Sequence, residues 1–299
     1  MPQRTRRRFD DDDDDFDIPT PTFTPTDDLD EAGPGDDHDH DDSLPKEPAW
    51  STYPDAAHGP APTPDWVITS AAATDEDLGV LKTGKEAEVS LLRRAHGDHA
   101  VLMAVKRYRH AHHRLFHRDA GYLEGRRVRK SREMRAMQNR TEFGREGIAG
   151  QWAIAEFHVL SRLWSAGAAV PYPVQLDGTE LMMEFIGTAD GVAAPRLAQL
   201  RPTPSEAADL YGQLREVLLR LAEQGYTHGD LSAYNVLVDD GRLVLIDLPQ
   251  AVDMVGNPQG FQFLARDCEN ICAWFTARGI DADPAALRDL LLATVPHAG

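Results

Sequence analysis

The chain has 299 residues, a formal net charge of −18 and two cysteines. This length is enough for one two-lobed domain or for two small domains with a sizeable core. The sequence contains neither an apolar run of about 18 residues nor an apolar stretch after its N-terminal arginines, which argues against a membrane span and a secretory signal. We therefore expect a soluble, cytoplasmic protein. Its cysteines, Cys268 and Cys272, fit neither a redox motif nor a zinc site and are expected to be reduced core residues.

The first 50 residues carry most of the negative charge. They contain 17 acidic and 5 basic side chains, a net charge of −12, and few residues that could form a core. A run of like charges such as Asp10 to Asp15 repels itself and buries too little apolar surface to offset its ordering entropy. We predict a disordered acidic tail over residues 1–62.

The first predicted elements of the fold are two strands joined by a tight turn over residues 80–92, followed by a third strand over residues 100–106. The turn contains one glycine, Gly84, which would let a phosphate approach the backbone at one point. An ordinary surface hairpin is the alternative for the first two strands. The third strand ends on Lys106 in a Met-Ala-Val-Lys sequence. This matches the V-A-I-K pattern of protein kinases, in which the lysine reaches the α- and β-phosphates of ATP.

A helix over residues 151–164 supplies a candidate partner for this lysine. Phe157, Leu160 and Leu163 recur at helical spacing and predict a buried face. Glu156 lies beside that face and can point toward Lys106. A surface glutamate is the simpler interpretation of this residue taken alone, so the pair depends on the other motifs.

Between Lys106 and this helix the charge balance reverses. Residues 106–145 hold 13 lysine or arginine residues against 4 acidic ones, and we predict a basic insertion at about residues 107–147. Such a segment can contact the phosphate backbone of RNA, as on a ribosome, or an acidic partner. It can equally fold against the acidic tail of its own chain, and the sequence leaves both alternatives open.

The strand predicted over residues 180–187 is apolar and runs into a glycine, as a hinge between two lobes would require. In that interpretation Met183, Glu184 and Ile186 face an adenine ring, and the alternative is a plain sheet strand. The hinge divides the fold into an N-terminal lobe over residues 63–187 and a C-terminal lobe over residues 188–299. Helices are predicted over residues 204–224 and, as a pair, from residue 261 to the end.

The candidate catalytic residues surround a short hairpin in the second lobe. Two β-branched runs, residues 236–238 and 243–246, are separated by Asp-Asp-Gly, which predicts a tight turn. Asp230 and Asn235 precede the first strand and Asp247 ends the second, so the hairpin brings three oxygen-bearing side chains to one end. Their spacing repeats the kinase arrangement in which one Asp serves the accepting hydroxyl, while the Asn and the second Asp hold Mg²⁺. Taken singly, Asp and Asn are ordinary loop residues.

Together these motifs resemble the RIO-type atypical protein kinases, and their RIO1 branch in particular. The similarity spans about residues 66–280. The Gly-Lys-Glu-Ala loop and the Arg-Asp-Cys-x-Asn helix separate RIO proteins from ordinary kinases. The residues that carry the resemblance are Thr83-Gly84-Lys85-Glu86-Ala87, Ala104-Val105-Lys106, Trp152-Ala153 with Glu156, Met183-Glu184-Phe185-Ile186-Gly187, His228-Gly229-Asp230-Leu231-Ser232-Ala233-Tyr234-Asn235, Ile246-Asp247-Leu248-Pro249-Gln250 and Phe263-Leu264-Ala265-Arg266-Asp267-Cys268-Glu269-Asn270.

The resemblance implies an α+β, two-lobed protein-kinase-like fold, with an antiparallel sheet plus a helix in the N-lobe and a mainly helical C-lobe without an activation segment. It implies ATP and Mg²⁺ as cofactors, and transfer of the γ-phosphate to serine or threonine or transiently to Asp247, with ATPase activity as the result. In the family pattern Asp230 and Asp247 are catalytic, and Asn235 and Asp247 bind the metal. The nucleotide-binding positions are Thr83, Gly84, Lys85, Lys106, Glu156, Met183, Glu184 and Ile186.

Two alternatives come from other classes of protein. The loop His228-Gly229-Asp230-Leu231 resembles small-molecule phosphotransferases such as aminoglycoside and choline kinases just as well, although the RIO-specific loop and helix argue against them. The basic segment supports a nucleic-acid-associated assembly factor that uses ATP as a switch, and RIO proteins of archaea and eukaryotes serve maturation of the small ribosomal subunit. We expect no membrane partner.

Overall fold

An antiparallel sheet of seven strands forms the N-terminal lobe. The structure, a computed structural model, describes residues 48–109 and 142–296, with side chains in the second range from residue 149 onward. The strand order is β1-β3-β4-β5-β7-β6-β2, and all neighbouring strands are antiparallel. The strands are β1 (Ala49–Trp50), β2 (Ala57–His58), β3 (Thr74–Thr83), β4 (Ala87–His96), β5 (His99–Tyr108), β6 (Pro173–Asp177) and β7 (Glu180–Glu184).

The three long strands confirm the predicted hairpin and the strand that follows it. β3 and β4 are joined by residues 84–86, and β4 pairs with β5 along its whole length. Cross-strand partners share one face of a sheet. Lys106 of β5, its partner Val89 of β4 and Lys82 of β3 therefore form a row on one face. The lysine identified from the sequence thus faces the same side of the sheet as Lys82, the last residue but one of β3.

The N-terminal lobe begins earlier than predicted. Residues 48–62 were assigned to the disordered tail, but they contain β1 and β2, which occupy the two edges of the sheet. Tyr53 is buried, and the hydroxyl of Tyr172 donates a hydrogen bond to the carbonyl of Pro60 at 3.0 Å. Composition placed the boundary too late because this stretch is rich in proline and alanine, while a few apolar contacts with the sheet suffice to hold it. Residues 1–47 of the predicted tail lie outside the described residues.

A 24-residue helix, α1 (Glu142–Ser165), includes the predicted helix and packs against the sheet at β5, β6 and β7. Its apolar side chains Phe157, Leu160 and Leu163 are buried in the larger of the apolar cores, which belongs mainly to the C-terminal lobe. The helix therefore joins the two lobes. Glu156, the residue before Phe157, lies on this helix opposite Lys106 of β5.

The predicted basic insertion lies between β5 and α1. Residues 110–141 are outside the described part of the chain, so its predicted RNA contact stays a prediction. Two of its first residues are paired within the lobe. Arg107 lies 2.6 Å from Glu180 and 3.1 Å from Asp77, and Arg109 forms an ion pair with Glu88.

The C-terminal lobe is mainly helical. Helix α2 begins with a capping box, in which the Thr203 side chain accepts from the N–H of Glu206 at 3.3 Å and the Glu206 carboxylate accepts from the N–H of Thr203 at 2.7 Å. The apolar positions predicted for this helix, Leu210, Leu214, Val217, Leu218 and Leu221, are all buried. The elements of the lobe are α2 (Pro204–Glu223), β8 (Tyr226–Thr227), β9 (Val236–Asp239), β10 (Arg242–Leu245), β11 (Val252–Asp253), α3 (Gly260–Thr276) and α4 (Pro284–Leu292).

The predicted hairpin of this lobe is confirmed as β9 and β10. Asp240 and Gly241 in its turn have φ angles of +45° and +75°, as a tight hairpin turn with two left-handed residues requires. Only residues 246–259 separate the end of the hairpin from α3, so the fold has no room there for a long activation segment. The two predicted C-terminal helices are α3 and α4.

No helix within residues 48–109 and 142–296 is both long enough and apolar enough to cross a membrane. Cys268 and Cys272 on α3 are buried, unpaired thiols, as expected from their spacing. Burial, with the neighbouring Cys272 thiol and Asp267 carboxylate, raises the pKa of Cys268 to about 12. Both cysteines are therefore residues of the buried apolar core.

Candidate active site

Lys106 and Glu156 form a buried ion pair between the sheet and α1. The Nζ atom of Lys106 lies 2.9 Å from each carboxylate oxygen of Glu156. Burial opposes the charge on Lys106, but the carboxylates of Glu156 and Asp247 prevail and raise the pKa of the lysine. The side chain is therefore a cation throughout the physiological pH range. The structure brings together the two residues that the sequence indicated as partners.

Asp247 follows β10 in a strained backbone conformation. Its φ angle is +65°, in the left-handed region that non-glycine residues rarely adopt. Its Oδ1 atom lies 2.7 Å from Nζ of Lys106. Burial acts to raise the pKa of this carboxyl, but the charge and the hydrogen bond of Lys106 lower it to about 2. The next residue, Leu248, donates its backbone N–H to Glu156 at 3.0 Å, and this bond helps to hold the strained conformation.

The loop before β9 exposes Asp230 and buries Asn235. Gly229 has a φ angle of +84°, where a side chain would be strained. The side-chain amide nitrogen of Asn235 donates to the carbonyl of Asp230 at 2.9 Å, which holds these two residues side by side. His228 bonds to the carbonyl of Ile246 through Nε2 at 3.1 Å and accepts from the N–H of Asp230 at 3.4 Å. The buried imidazole therefore ties the loop to the end of the hairpin.

A buried carboxylate on α3 anchors the same loop, and the sequence had given it no role. Oδ2 of Asp267 accepts from the hydroxyl of Thr227 and from the N–H of Gly229, both at 2.7 Å. Its Oδ1 accepts from the N–H of Leu231 at 2.8 Å. Asp267 belonged to a motif used for the family resemblance, but a helix sequence does not show which loop packs against it. The available signal was an ionisable residue at a buried position of an apolar helical face.

Thr83, Gly84 and Lys85 lie at the turn between β3 and β4. The N–H of Gly84 donates to the carbonyl of Ala87 at 2.9 Å. A Cβ atom at position 84 would lie 3.0 Å from that same oxygen, a tight contact, so the turn favours glycine. Thr83 and Lys85 are exposed beside it. The loop therefore offers one point at which a phosphate could come close to the backbone, as predicted from its single glycine.

Glu86 in this turn is a further charged residue, and the sequence analysis assigned it no role at the site. The Glu86 side chain is exposed, but partial desolvation in the turn raises the pKa of its carboxyl, and the carboxylates of Asp247 and Asp230 act in the same direction. The charge of Lys106 and a hydrogen bond with Gln250 oppose that shift. Glu86 therefore adds negative charge to the region where the two candidate catalytic carboxylates already lie.

The hinge positions Met183, Glu184 and Ile186 lie at and after the end of β7. Glu184 is held by Tyr172, because its N–H donates to the Tyr172 carbonyl at 2.9 Å and its carboxylate accepts from the Tyr172 N–H at 3.1 Å. The carbonyl of Ile186 accepts from Ala194 at 3.0 Å. Within the described residues, the N–H of Ile186 makes no hydrogen bond. The N–H of Ile186 is therefore available to bind an adenine ring. The N–H of Glu184 is not available, because it is bonded to the Tyr172 carbonyl.

The remaining oxygen atoms suit a hard cation. The amide nitrogen of Asn235 is occupied by Asp230, so its Oδ1 is the free end, and Asp247 keeps Oδ2 when Oδ1 binds Lys106. One amide oxygen and one carboxylate oxygen, completed by nucleotide phosphates and water, form a donor set that Mg²⁺ accepts. In the described part of the chain, no group of three or more His, Cys, Asp or Glu residues could hold a metal alone. A metal at this site would therefore need further ligands, such as phosphate oxygens or water.

The sequence profile of the RIO domain family matches residues 89–287, a span that includes Lys106, Glu156, Asp230 and Asp247. The chain belongs to the RIO kinase family. The RIO-type serine/threonine-protein kinase Rio1 of Haloferax volcanii is 37% identical over 213 residues, which are 71% of this chain and 68% of that protein. Serine/threonine-protein kinase RIO3 of Caenorhabditis elegans is 32% identical over 206 residues. This RIO protein matches 37% of the length of that animal relative.

Solved structures show the same fold. The Rio2 kinase of Chaetomium thermophilum, in its ADP/Mg²⁺-phosphoaspartate complex, superposes with a TM-score of 0.54 and 23% identity. The superposition covers 75% of this chain and 63% of that one. The predicted two-lobed kinase-like fold of this RIO protein is thereby confirmed.

Proposed function

We propose that this RIO protein uses ATP and Mg²⁺ to transfer the γ-phosphoryl group to a serine or threonine hydroxyl of a protein, or transiently to Asp247. The observation that carries the proposal is the approach of Lys106 to 2.7 Å from Asp247, at a site whose loop holds Asp230 beside Asn235. A fixed cation, two oxygen ligands and an exposed carboxylate are the parts that phosphoryl transfer needs. The relatives are named serine/threonine-protein kinases, which supports the acceptor class.

Each charged residue has its own task. Lys106, oriented by Glu156, binds the α- and β-phosphates and so places the γ-phosphorus. Asp230 accepts the proton of the acceptor hydroxyl while the oxygen of that hydroxyl forms a bond to the γ-phosphorus. The bond between that phosphorus and the β–γ bridging oxygen breaks, and the electron pair leaves with ADP. Magnesium held by Asn235 and Asp247 would supply charge neutralisation on the phosphates.

A second branch of the proposal makes Asp247 the acceptor. Attack of its carboxylate on the γ-phosphorus would release ADP and form an acyl phosphate, and water would then release inorganic phosphate and restore the carboxylate. The sum of these two steps is ATP hydrolysis. The ADP/Mg²⁺-phosphoaspartate complex of the Rio2 relative supports this branch.

The deciding experiment supplies the purified protein with γ-labelled ATP and Mg²⁺, and compares phosphate release with transfer to generic proteins and to aminoglycosides. We expect label on serine or threonine of the protein acceptor. Asp230→Asn should lose that transfer and still bind nucleotide, since nucleotide and metal are held by other residues. Asp240→Asn is the control, because it makes the same change at an aspartate in the turn of the β9–β10 hairpin, to which the proposal gives no role. Label on aminoglycosides alone, or full transfer by Asp230→Asn, would overturn the proposal.

The branch through Asp247 has a separate signature. An acyl phosphate is cleaved by hydroxylamine, whereas a phosphoserine is not. Label on the protein itself that is lost on hydroxylamine treatment, and that is absent from Asp247→Asn, is the expected result. Stable label on Asp247→Asn would assign the acceptor to another residue.

A further inference from the structure

Tyr108 is the last residue of β5, two positions after Lys106, and it points to the same face of the sheet. Its ring is buried against Ala87, Ala149 and Ala153, so it fills the space between the sheet and α1. Its hydroxyl donates a hydrogen bond to a carboxylate oxygen of Glu156. The kinase motifs assign no role to this side chain.

Glu156 accepts hydrogen bonds from three residues. Lys106 contacts both of its oxygens at 2.9 Å, Leu248 donates its backbone N–H at 3.0 Å, and Tyr108 donates its hydroxyl. Tyr108 is therefore the uncharged side-chain donor of this set. Burial, together with the charge of Glu156, raises the pKa of Tyr108 well above its usual range, so the hydroxyl keeps its proton.

The need for a second side-chain donor follows from the position of Lys106. Its ammonium divides its hydrogen bonds between Glu156 and Asp247, and in the proposed reaction it must also bind phosphate. A buried carboxylate that loses part of its hydrogen bonding is destabilised. A neutral donor fixed to β5 stays in place while the lysine changes partners, because phosphate does not attract it as it attracts a cation.

We propose that Tyr108 is a positioning residue of the phosphoryl-transfer site. It holds the carboxylate of Glu156 so that Lys106 stays directed into the cleft and the Leu248 N–H stays bound. Through Leu248, the same carboxylate supports the strained backbone of Asp247. The proposal rests on the proposed function for its kinetic consequence, but the position of Glu156 can be measured without any reaction.

Tyr108→Phe is the natural test, because it keeps the ring among the three alanines and removes only the hydroxyl. The ring also lies 5.2 Å from Nζ of Lys106, and phenylalanine keeps that contact. Loss of one hydrogen bond to a charged group predicts a fall in kcat of about ten- to a hundredfold with little change in the KM of the protein acceptor. Tyr211→Phe is the control, since the Tyr211 hydroxyl contacts Cys272 in the C-terminal lobe. It should transfer at the wild-type rate.

A double-mutant comparison separates positioning from a general loss of structure. If Tyr108 acts through Glu156, Tyr108→Phe should have little further effect on kcat in a Glu156→Ala background, in which the hydroxyl has no side-chain oxygen at position 156 to bind. A fall in kcat that is equally large in both backgrounds would show that the hydroxyl does not work through Glu156. That result would overturn the proposal.

Amide hydrogen exchange of ¹⁵N-leucine-labelled protein tests the proposal without catalysis. Leu248 and Leu245 are both fully buried, and their N–H groups donate to Glu156 and to the Ala169 carbonyl, respectively. In Tyr108→Phe we expect the Leu248 amide to exchange about tenfold faster or more, while Leu245 keeps its wild-type rate. An unchanged Leu248 amide would overturn the positioning role. Faster exchange in a protein that transfers no phosphate would instead retain the positioning role and refute the proposed function.

Discussion

The ammonium group of Lys106 lies 2.7 Å from Oδ1 of Asp247 and, at the same time, 2.9 Å from Glu156. One cation thus links the sheet, α1 and Asp247, which follows the C-lobe hairpin. The phosphate chain of a nucleotide would compete with Asp247 for Lys106, and Mg²⁺ would compete with Lys106 for Asp247. The ion pair therefore holds Lys106 close to the proposed phosphate site and Asp247 close to the proposed metal site.

Lys106→Ala should lower kcat/KM for transfer to a protein by about 10²- to 10³-fold, because the phosphates lose the cation that positions them. Glu156→Gln should lower it through the same step. The double variant should then lose less than the two single variants added together on a logarithmic scale. Arg220→Ala, which removes an exposed pair with Glu223, serves as the control. Strictly additive losses would show that Lys106 and Glu156 act independently.

Asp267→Ala should destabilise the fold and disable the catalytic loop. The change removes the acceptor of two backbone N–H groups and one hydroxyl at a site that is 2% exposed, so we expect a loss of about 3 kcal/mol in the free energy of unfolding. Urea denaturation measures this loss. Asp253→Ala is the matched control, since the Asp253 carboxylate also accepts from two backbone N–H groups but is exposed. Equal losses in the two variants would contradict the anchoring role.

Glu86→Gln should tighten the binding of ADP at neutral pH. Its carboxylate adds negative charge near Asp230 and Asp247, and removing one such charge is worth about 1 kcal/mol, or about fivefold in Kd. The pKa of Glu86 is raised, so the wild-type carboxyl takes up a proton and loses its charge as the pH falls. The advantage of the variant should therefore shrink toward acidic pH. Calorimetric titration with ADP at several pH values checks this.

The control for that titration is Glu88→Gln. Glu88 lies two residues further along the same hairpin, but it is paired with Arg109. We expect no comparable gain in ADP affinity from it. A similar gain in both variants would indicate a general charge effect and would remove the specific role of Glu86.

The stabilising effect of Asp247 should depend on pH in the acid range only. Its pKa in the folded protein is about 2, below the 3.8 of an unperturbed Asp, so its contribution is complete above 3.8 and is lost as the pH falls toward 2. The free energies of unfolding of the wild type and of Asp247→Asn, measured by urea denaturation, should differ by a constant amount between pH 5 and pH 8. The difference should narrow below pH 4. Asparagine also tolerates the positive φ at this position, so backbone strain stays matched. A difference that narrows on raising the pH above 5 would contradict the assignment.

Local pattern was enough to predict most elements and the identity of the central pair. The two strands and tight turn at residues 80–92, the strand at residues 100–106, the apolar spacing of α2 and the Asp-Asp-Gly turn are short-range features, and each appears in the structure. Lys106 and Glu156 could be nominated because each occurs within a recognisable element, although 50 residues separate them. The end of the tail was misplaced because composition does not register the contacts that hold residues 48–62 on the sheet.

What only the tertiary structure decided is which polar groups share a partner. Asp267, Tyr108 and the Leu248 N–H acquire their roles from the loop or the carboxylate that packs against them, and these partners are distant in sequence. The same holds for Asp247, whose low pKa depends on a lysine 141 residues away. Sequence patterns report the periodicity of burial, which is set by near neighbours. Hydrogen bonds and charge interactions in a buried site depend on distances of a few ångströms across the fold, and only packing sets those distances.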